Sequence, residues 1–368
     1  MNENSKKYLK PQFKVNPKNI RIKDIAKIAG VSQGTVDRIL HGRPHVSAKA
    51  FAKVNEVMEK IHYKPNLIAR SLGHGKNHRI AVIIFEPALE PYWEVAQLGV
   101  LQAQTEWDHY NISIDPFHYA HGGKLSFEHV AELVLKSKPD GIVLAPLYYQ
   151  QALPVLKMLD DQKIPYILFN TNIPDSKALS FIGQDLFQSG MLAGQLMSLG
   201  HEEKEHLIIL HVGEDVQDSI YLKEKERGFM EFYGKNMHHP YTIESLNLDH
   251  TKNTFRKEIK KLIQDKNMKG IFVTTTRAVS TIAAVLLESS RKDVRLIGYD
   301  MMEDSLEYIK MGVIQFLINQ NPKRQALLGI SHMANHLLFK KKLPVIELFP
   351  LEIITQQNVD SYISSGIH

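Results

Sequence analysis

No cysteine occurs among the 368 residues. That removes disulfide frameworks, cysteine nucleophiles and thiolate metal sites together. Tryptophan is scarce, at two residues, and no apolar run reaches the about 18 residues that a membrane span needs. The opening stretch MNENSKKYLKPQFKVNPKN has no apolar core of a secretory signal, so a soluble, cytoplasmic protein is expected. There is no GxxxxGK[ST] phosphate loop, no GxGxxG dinucleotide loop, no HExxH metal helix and no GxSxG elbow. The 18 histidines are scattered without the spacing of convergent ligands. The expectation is a protein that is not an enzyme and takes no cofactor or metal.

What is present is a large apolar fraction, 43%, with 23% charged residues, enough for a substantial core. Charge is unevenly placed. Residues 1–78 carry 16 Lys and Arg against 5 Asp and Glu, whereas residues 79–368 carry 29 against 35. A basic head on a mildly acidic body suggests that the head meets a polyanion; a solvated basic tail is the plainer alternative. Residues 1–20 hold five lysines and no apolar periodicity, and are expected to be a disordered tail.

In RIKDIAKIAGVSQGTVDRIL, Ile22, Ile25, Ala26, Ile28 and Ala29 fall at helical spacing. Gly30 is a suitable stop and Ser32 a suitable cap for a second short helix, whose inner face is Val36, Ile39 and Leu40. A third helix, capped by Ser47, has an apolar stripe of Phe51, Val54, Val57, Met58 and Ile61. Two short helices about a glycine turn make a helix-turn-helix, whose second helix enters the major groove by its N-terminal residues. Here those are Gln33, Gly34 and Thr35, with Arg38 one turn on, and the amide groups at Ser32 face phosphate. A small helical bundle with a solvated polar face is the alternative reading.

The ordered motifs DIAKIAGVS, TV-x-R, VSAK and Y-x-PN-x-x-A-x-x-L closely resemble the DNA-binding head of the LacI/GalR family of bacterial repressors over residues 21–75. The resemblance implies that Gln33 and Gly34 choose the operator. It also implies that Thr35, Arg38, Asn66 and Ala69 contact DNA. Asp37 departs from the family's usual serine, which puts a phosphate contact there in doubt. The segment NLIARSLG (66–73) is too short to hold as an isolated helix. The resemblance implies that it folds when two copies pair in the minor groove, with Leu72 wedged between base pairs. The organisation expected is a tail (1–20), a helix-turn-helix domain (21–64), a hinge helix and linker (65–78) and a sensor (79–368).

The body alternates strand-like runs with helical stretches: RIAVIIFE, ISIDPFHY, DGIVLAPL, PYILFN, LSFIG, HLIILHVG, TIESLNL, GIFVTT, VRLIGYD, VIQFLIN and the late FPLEIITQQN. This order predicts α/β architecture with parallel sheets in two lobes, beside the small all-α head. The signatures IGQD, K-x-x-GF, LIGYD and INQNP followed by Gln325 resemble the type I periplasmic sugar-binding fold. That fold implies three lobe crossings, placed near 180–184, 301–304 and 320–326. The first lobe is then expected to hold about 79–180 and 302–322, and the second lobe the remainder.

Ligands in open α/β sheets sit at the carboxyl ends of strands. The candidates are Glu86, Tyr92, Trp93, Tyr148, Tyr149, Asn170, Thr171, Asp300 and Gln320: aromatic faces for a sugar ring, amides and carboxylates for its hydroxyls. Asp300 with Glu303 also reads as a helix cap, and the resemblance implies a ligand-contacting role for this aspartate. Asp185 reads as structural. Lys225 stands where the family usually has arginine, which makes a sugar phosphate or sugar acid more plausible; a solvated helix face covers Lys223, Lys225 and Arg227 equally well. The function expected is a homodimeric, sometimes tetrameric, transcriptional repressor that binds a near-palindromic double-stranded operator under control of a sugar-like effector. A ligand-independent DNA-binding protein and a sugar-binding protein of another role are the alternatives.

Overall fold

The computed structural model describes residues 22–40, 44–61, 77–120, 123–200, 205–213, 219–236 and 241–365. The chain divides into two compact units, Met1–Gly75 and Lys76–His368. In the first, α1 (Ile22–Ala29), α2 (Gln33–Leu40) and α3 (Ala48–Lys60) enclose Ile25, Ala26, Ala29, Val36 and Val54. The turn between α1 and α2 follows from Gly30, at φ +65°, a conformation that costs glycine little. The Val31 amide then reaches back to the Ala26 carbonyl at 3.0 Å, closing α1 in a Schellman turn. Ser47 caps α3 by accepting the Ala50 amide, as its position predicts. Asn66, Ala69 and Leu72 lie outside the described residues, as does residues 1–20.

The second unit holds two six-stranded sheets of matching order. The first runs β11–β5–β4–β3–β1–β2, with β1 (His78–Phe85), β2 (Ile112–Tyr119), β3 (Gly141–Leu144), β4 (Tyr166–Phe169), β5 (Ser180–Gly183) and β11 (Ile346–Leu348) all parallel. The second runs β12–β10–β9–β8–β6–β7, with β6 (His206–Val212), β7 (Thr242–Leu248), β8 (Met268–Val273), β9 (Arg295–Tyr299) and β10 (Phe316–Asn319) parallel. Its edge strand, β12 (Glu352–Ile354), is antiparallel to β10, an exception to the expected parallel order. Strands such as β3 and β4 are buried at every position because helices cover both faces.

The lobes are not divided as the sequence pattern suggested. Residues 302–319 stay with the second lobe: Ile309, Ile314 and Leu317 sit in its core, and β10 pairs with β9. The returning segment of the first lobe is instead α12 (Pro322–Phe339) with β11. Ala326, Ile330, Met333 and Ala334 of α12 are buried among the residues of β1, β3 and β4. The crossings therefore fall between β5 and Leu186, between β10 and Pro322, and between β11 and β12. None occurs at 301–304, because the chain leaving β9 is held by its own lobe's apolar face. Gln184 ties all three crossings, donating through Nε2 to the carbonyls of Asn319 (2.8 Å) and Pro350 (2.9 Å). Asp185 caps the following helix through the Gln188 amide, the structural role expected of it.

In the second lobe α7 (Leu186–Ser198) and α8 (Ile220–Asn236) cross at backbone distance. A Cβ on Gly190 would stand 2.0 Å from the Lys225 carbonyl oxygen, and one on Gly228 2.0 Å from that of Phe187. Neither obstacle is a flexible side-chain end. Gly190→Ala is expected to cost about 1–3 kcal/mol by overpacking and to lower the thermal midpoint by several degrees in a circular-dichroism melt. An unchanged midpoint would mean that the helices part without cost.

Candidate functional site

The carboxyl ends of the two sheets face each other across a cleft. The first lobe contributes Glu90, Tyr92, Trp93, Leu147 and Asn170 to its lining. The second contributes Tyr221, Lys225, Thr275 and Thr276, and the middle crossing contributes Gln320. The lobes are closed on one another, leaving a cavity of about 30 Å³, room for a water or two.

One hydrogen-bonded chain crosses the cleft floor. Thr276 Oγ1 donates to Asp300 Oδ2 (2.8 Å), which also accepts Gln320 Nε2 (2.6 Å). The Gln320 amide donates to Asp300 Oδ1 (2.7 Å), and the Gln320 carbonyl accepts Gln325 Nε2 (2.7 Å). Gln325 Oε1 accepts the Asn170 amide (3.0 Å), and Asn170 Nδ2 donates to the Tyr92 hydroxyl (2.5 Å). Asn170 and Asp300 follow the matching strands β4 and β9, and both are left-handed, at φ +66° and +55°. Such backbone is tolerated best by glycine, asparagine and aspartate. Burial pushes the Asp300 carboxyl above its ordinary range, while the Gln320 and Thr276 donors and the charge of Lys225 pull it back. Burial likewise raises Tyr92, so its phenol remains protonated.

Lys225 is 1% exposed, which excludes the solvated-face reading. Its ammonium donates to the Thr274 carbonyl (3.0 Å) and stands 3.4 Å from the ring centroid of Tyr299. A carbonyl, a π face and the nearby Asp300 charge together offset its lost hydration. Thr274 is braced in turn: its Oγ1 is 2.7 Å from His211 Nδ1, whose Nε2 is 2.9 Å from Glu226. Hydrogen bonding to His211 holds Glu226 below the ordinary carboxylate range. Arg227, by contrast, is exposed and pairs with Glu224.

At the cleft mouth Glu90, the residue preceding α4 (Pro91–Trp107), forms an ion pair with Arg277, which follows β8. Their side chains are 7% and 9% exposed, and the pair bridges the lobes. Arg277 Nη1 also donates to the Gly213 carbonyl (3.2 Å). Beyond this pair lies a second, open groove of about 540 Å³, walled by Leu89 and Pro91 on one side and by Lys252, Arg256 and Arg277 on the other.

Of the expected ligand residues, Tyr92, Trp93, Asn170, Lys225 and Gln320 meet at the cavity. Trp93 is largely core, 1% exposed and edge-on to Phe169. Asp300 stands behind Gln320 and Thr276, both of which it holds. The cap of the following 3-10 turn is Met302, so the capping alternative for Asp300 is set aside. Tyr148 does not reach the cavity: it precedes α6 (Tyr149–Asp161) and packs in the first lobe's core, while Tyr149 begins that helix. Thr171 is buried, donating to Asn170 Oδ1 (3.0 Å), and Glu86 caps a turn through the Ala88 amide. Sequence reasoning missed Glu90, Leu147, Tyr221, Thr275, Thr276 and Arg277. The TTTR run after β8 was the available signal, since it too follows a strand's carboxyl end.

In the head, Ser32, Gln33, Gly34 and Arg38 are exposed together at the start and one turn along α2, and Thr35 is half-buried. Ser32 Oγ accepts the Thr35 amide (3.1 Å), fixing the helix start from which Gln33 projects. Among the described residues no group of three metal-ligating side chains converges, and no helix is long and apolar enough to cross a membrane.

Comparison with known proteins matches residues 21–66 to the bacterial regulatory proteins of the lacI family, and residues 80–341 to a periplasmic binding protein domain. The HTH-type transcriptional regulator MalR of Streptococcus pneumoniae is 26% identical over 175 residues, 46% of this chain and 51% of the relative. The match thus spans about half the length of that curated relative. The sucrose operon repressor of Pediococcus pentosaceus is 25% identical over 290 residues, 76% of this chain and 82% of the relative. Among solved structures, a protein described as a LacI transcriptional regulator from Bacteroides fragilis aligns with TM-score 0.71 and 28% identity, over 78% of this chain and all of that one, 100%. GanP, a glucose-galactose binding protein from Geobacillus stearothermophilus, shares the fold at TM-score 0.67 and 18% identity, over 77% of this chain and 99% of its own.

Proposed function

This chain belongs to the lacI family of bacterial regulatory proteins with a periplasmic-binding-protein domain, and from that premise we propose that it is a transcriptional repressor controlled by a small polyhydroxylated effector. The observation that carries the reading is the buried polar chain from Thr276 through Asp300, Gln320 and Gln325 to Asn170 and Tyr92. It runs between two lobes of a chain that also bears a helix-turn-helix. Donors and acceptors fixed in a closing cleft beside aromatic rings suit a sugar or sugar derivative. One relative is named as a sucrose operon repressor, which agrees with that class. The repressor works as a homodimer in the cytoplasm, its two heads on a near-palindromic site. Effector binding changes lobe closure and so shifts operator affinity.

The test is fluorescence anisotropy with duplexes selected from a random DNA pool, repeated with a panel of sugars and sugar derivatives. Salt-dependent binding without sequence preference, or no response to any panel member, would remove the reading. In the same assay Gln33→Ala is expected to lose about 1–3 kcal/mol on the selected duplex, roughly 5- to 150-fold, with unselected DNA little affected. Equal weakening on both would place Gln33 on phosphate instead of on a base.

A further inference from the structure

We infer that the groove outside the Glu90–Arg277 pair is a second compartment of the effector site, one that takes a phosphoryl group carried by the effector. The inference rests on the reading of the cleft as an effector site. It starts from size: the closed inner cavity, about 30 Å³, holds no sugar ring, so any effector must part the lobes. The buried ion pair at the mouth is the contact that then has to yield. Glu90 lines the inner cavity and Arg277 lines the outer groove, while Thr276 lines both, so the pair is the wall between them.

Charge decides which part of an effector goes where. Among the described residues lining the inner cavity the one cation, Lys225, already faces Asp300, the Tyr299 ring and the Thr274 carbonyl. An anion placed there would lose its water without gaining an uncommitted cation. Among its described lining residues the outer groove holds Lys252, Arg256 and Arg277 against one carboxylate, Asp304, which accepts the Ser280 hydroxyl. Arg256 shares its charge with Glu288 at the rim, and both are half-exposed, so the pair is easily exchanged. Thr281 adds a hydroxyl to the same wall, whereas the Thr251 hydroxyl is committed to Asp249 Oδ1 (2.7 Å). A phosphoryl group here would draw Arg277 away from Glu90 in a bidentate contact. The freed Glu90 carboxylate would then accept hydroxyls of the ring in the inner cavity. No buried charge is left unmatched in that exchange.

The experiment is isothermal titration calorimetry on the full chain with pentoses and hexoses and with the matching phosphate esters. The expected result is a sugar–ester pair in which the ester binds at least tenfold more tightly. In the Lys252→Ala/Arg256→Ala double variant, which keeps the Arg277 contact, the ester should lose most of its advantage over the parent sugar, with the parent unchanged. Loss of the ester's advantage in high salt would accompany it. An ester no tighter than its sugar overturns the second compartment and leaves the cleft reading standing. So does an advantage that survives undiminished in the double variant, because the phosphoryl group is then held elsewhere. Silence from every sugar and every ester removes both.

Discussion

Arg277→Ala is expected to open the lobes without unfolding either of them. The guanidinium is 9% exposed and its partner Glu90 7%, so the substitution takes the guanidinium away from a buried carboxylate in the closed form. Breaking a buried pair from one side costs about 3–5 kcal/mol, which is a shift of roughly two to four decades in the closed-to-open ratio. The open form avoids that cost, because Glu90 then meets water. The penalty therefore falls on closure, not on folding: each lobe keeps its own sheet and core. Spin labels on the two lobes, read by pulsed dipolar spectroscopy, should show the distance distribution move outward and broaden. Glu90→Gln, which keeps an acceptor for Arg277, should move it less. A distribution identical to that of the parent protein would show that other contacts hold the cleft shut. Opening should also accelerate effector association while weakening its final affinity, since the closed state is the one that surrounds the ligand.

Asp300→Ala is expected to have the larger effect on stability and to abolish the effector response. Three donors converge on this carboxylate: the Gln320 amide, Gln320 Nε2 and Thr276 Oγ1. Each buried donor left without a partner costs about 1–3 kcal/mol, and alanine is also poorly suited to a backbone at φ +55°. The sensor's thermal midpoint should fall by on the order of 10 °C. Asp300→Asn keeps the shape and tolerates the left-handed backbone, so it separates folding from recognition. It presents an amide N–H₂ to at least one donor, turns Gln320 or Thr276 from its place, and should weaken effector binding while the lobes remain folded. Full binding by the asparagine variant would mean that Asp300 positions nothing the ligand touches.

The asparagine variant also exposes a pH dependence. Burial raises the Asp300 carboxyl above its ordinary 3.8. A group raised on folding contributes stability that is full below its unfolded value and is lost as pH rises through its folded value. Urea denaturation from pH 4 upward should therefore show the parent losing ground relative to Asp300→Asn, which has no proton to lose at this position. A parent that instead gains on the asparagine variant as pH rises would mean that the donors, not burial, set this carboxyl.

How legible these features were follows the range of the interaction behind each. The helix-turn-helix was readable because its causes are local: apolar residues at helical spacing, Gly30 free to take φ +65°, and Ser47 within reach of the Ala50 amide. The strands were readable for the same reason, β2 and β7 to the residue, since alternation or continuous apolar character reports burial of one or both faces. Asn170, Gln320 and Tyr92 were found because the carboxyl end of a strand is a position that sequence order already supplies.

The division of the lobes was decided only by tertiary structure. Residues 302–319 and 322–348 look alike as sequence, each a helical stretch beside a strand, and nothing local says which sheet has room for which. Pairing of β10 to β9, and the fit of α12 against β1, β3 and β4, settled it. Charge was equally misleading in isolation. Lys225 sits among Lys223, Glu224 and Arg227 as though on a wet helix face, and its burial depends on Tyr299, some seventy residues away. Glu90 and Arg277 are 187 residues apart and each reads as an ordinary surface charge. Local pattern settled the elements, the exposed start of α2 and the strand ends that line the cleft. Which charges lose their water, and which partners then hold them, depended on how the two lobes close, because desolvation is a property of the packed surroundings and not of the residue.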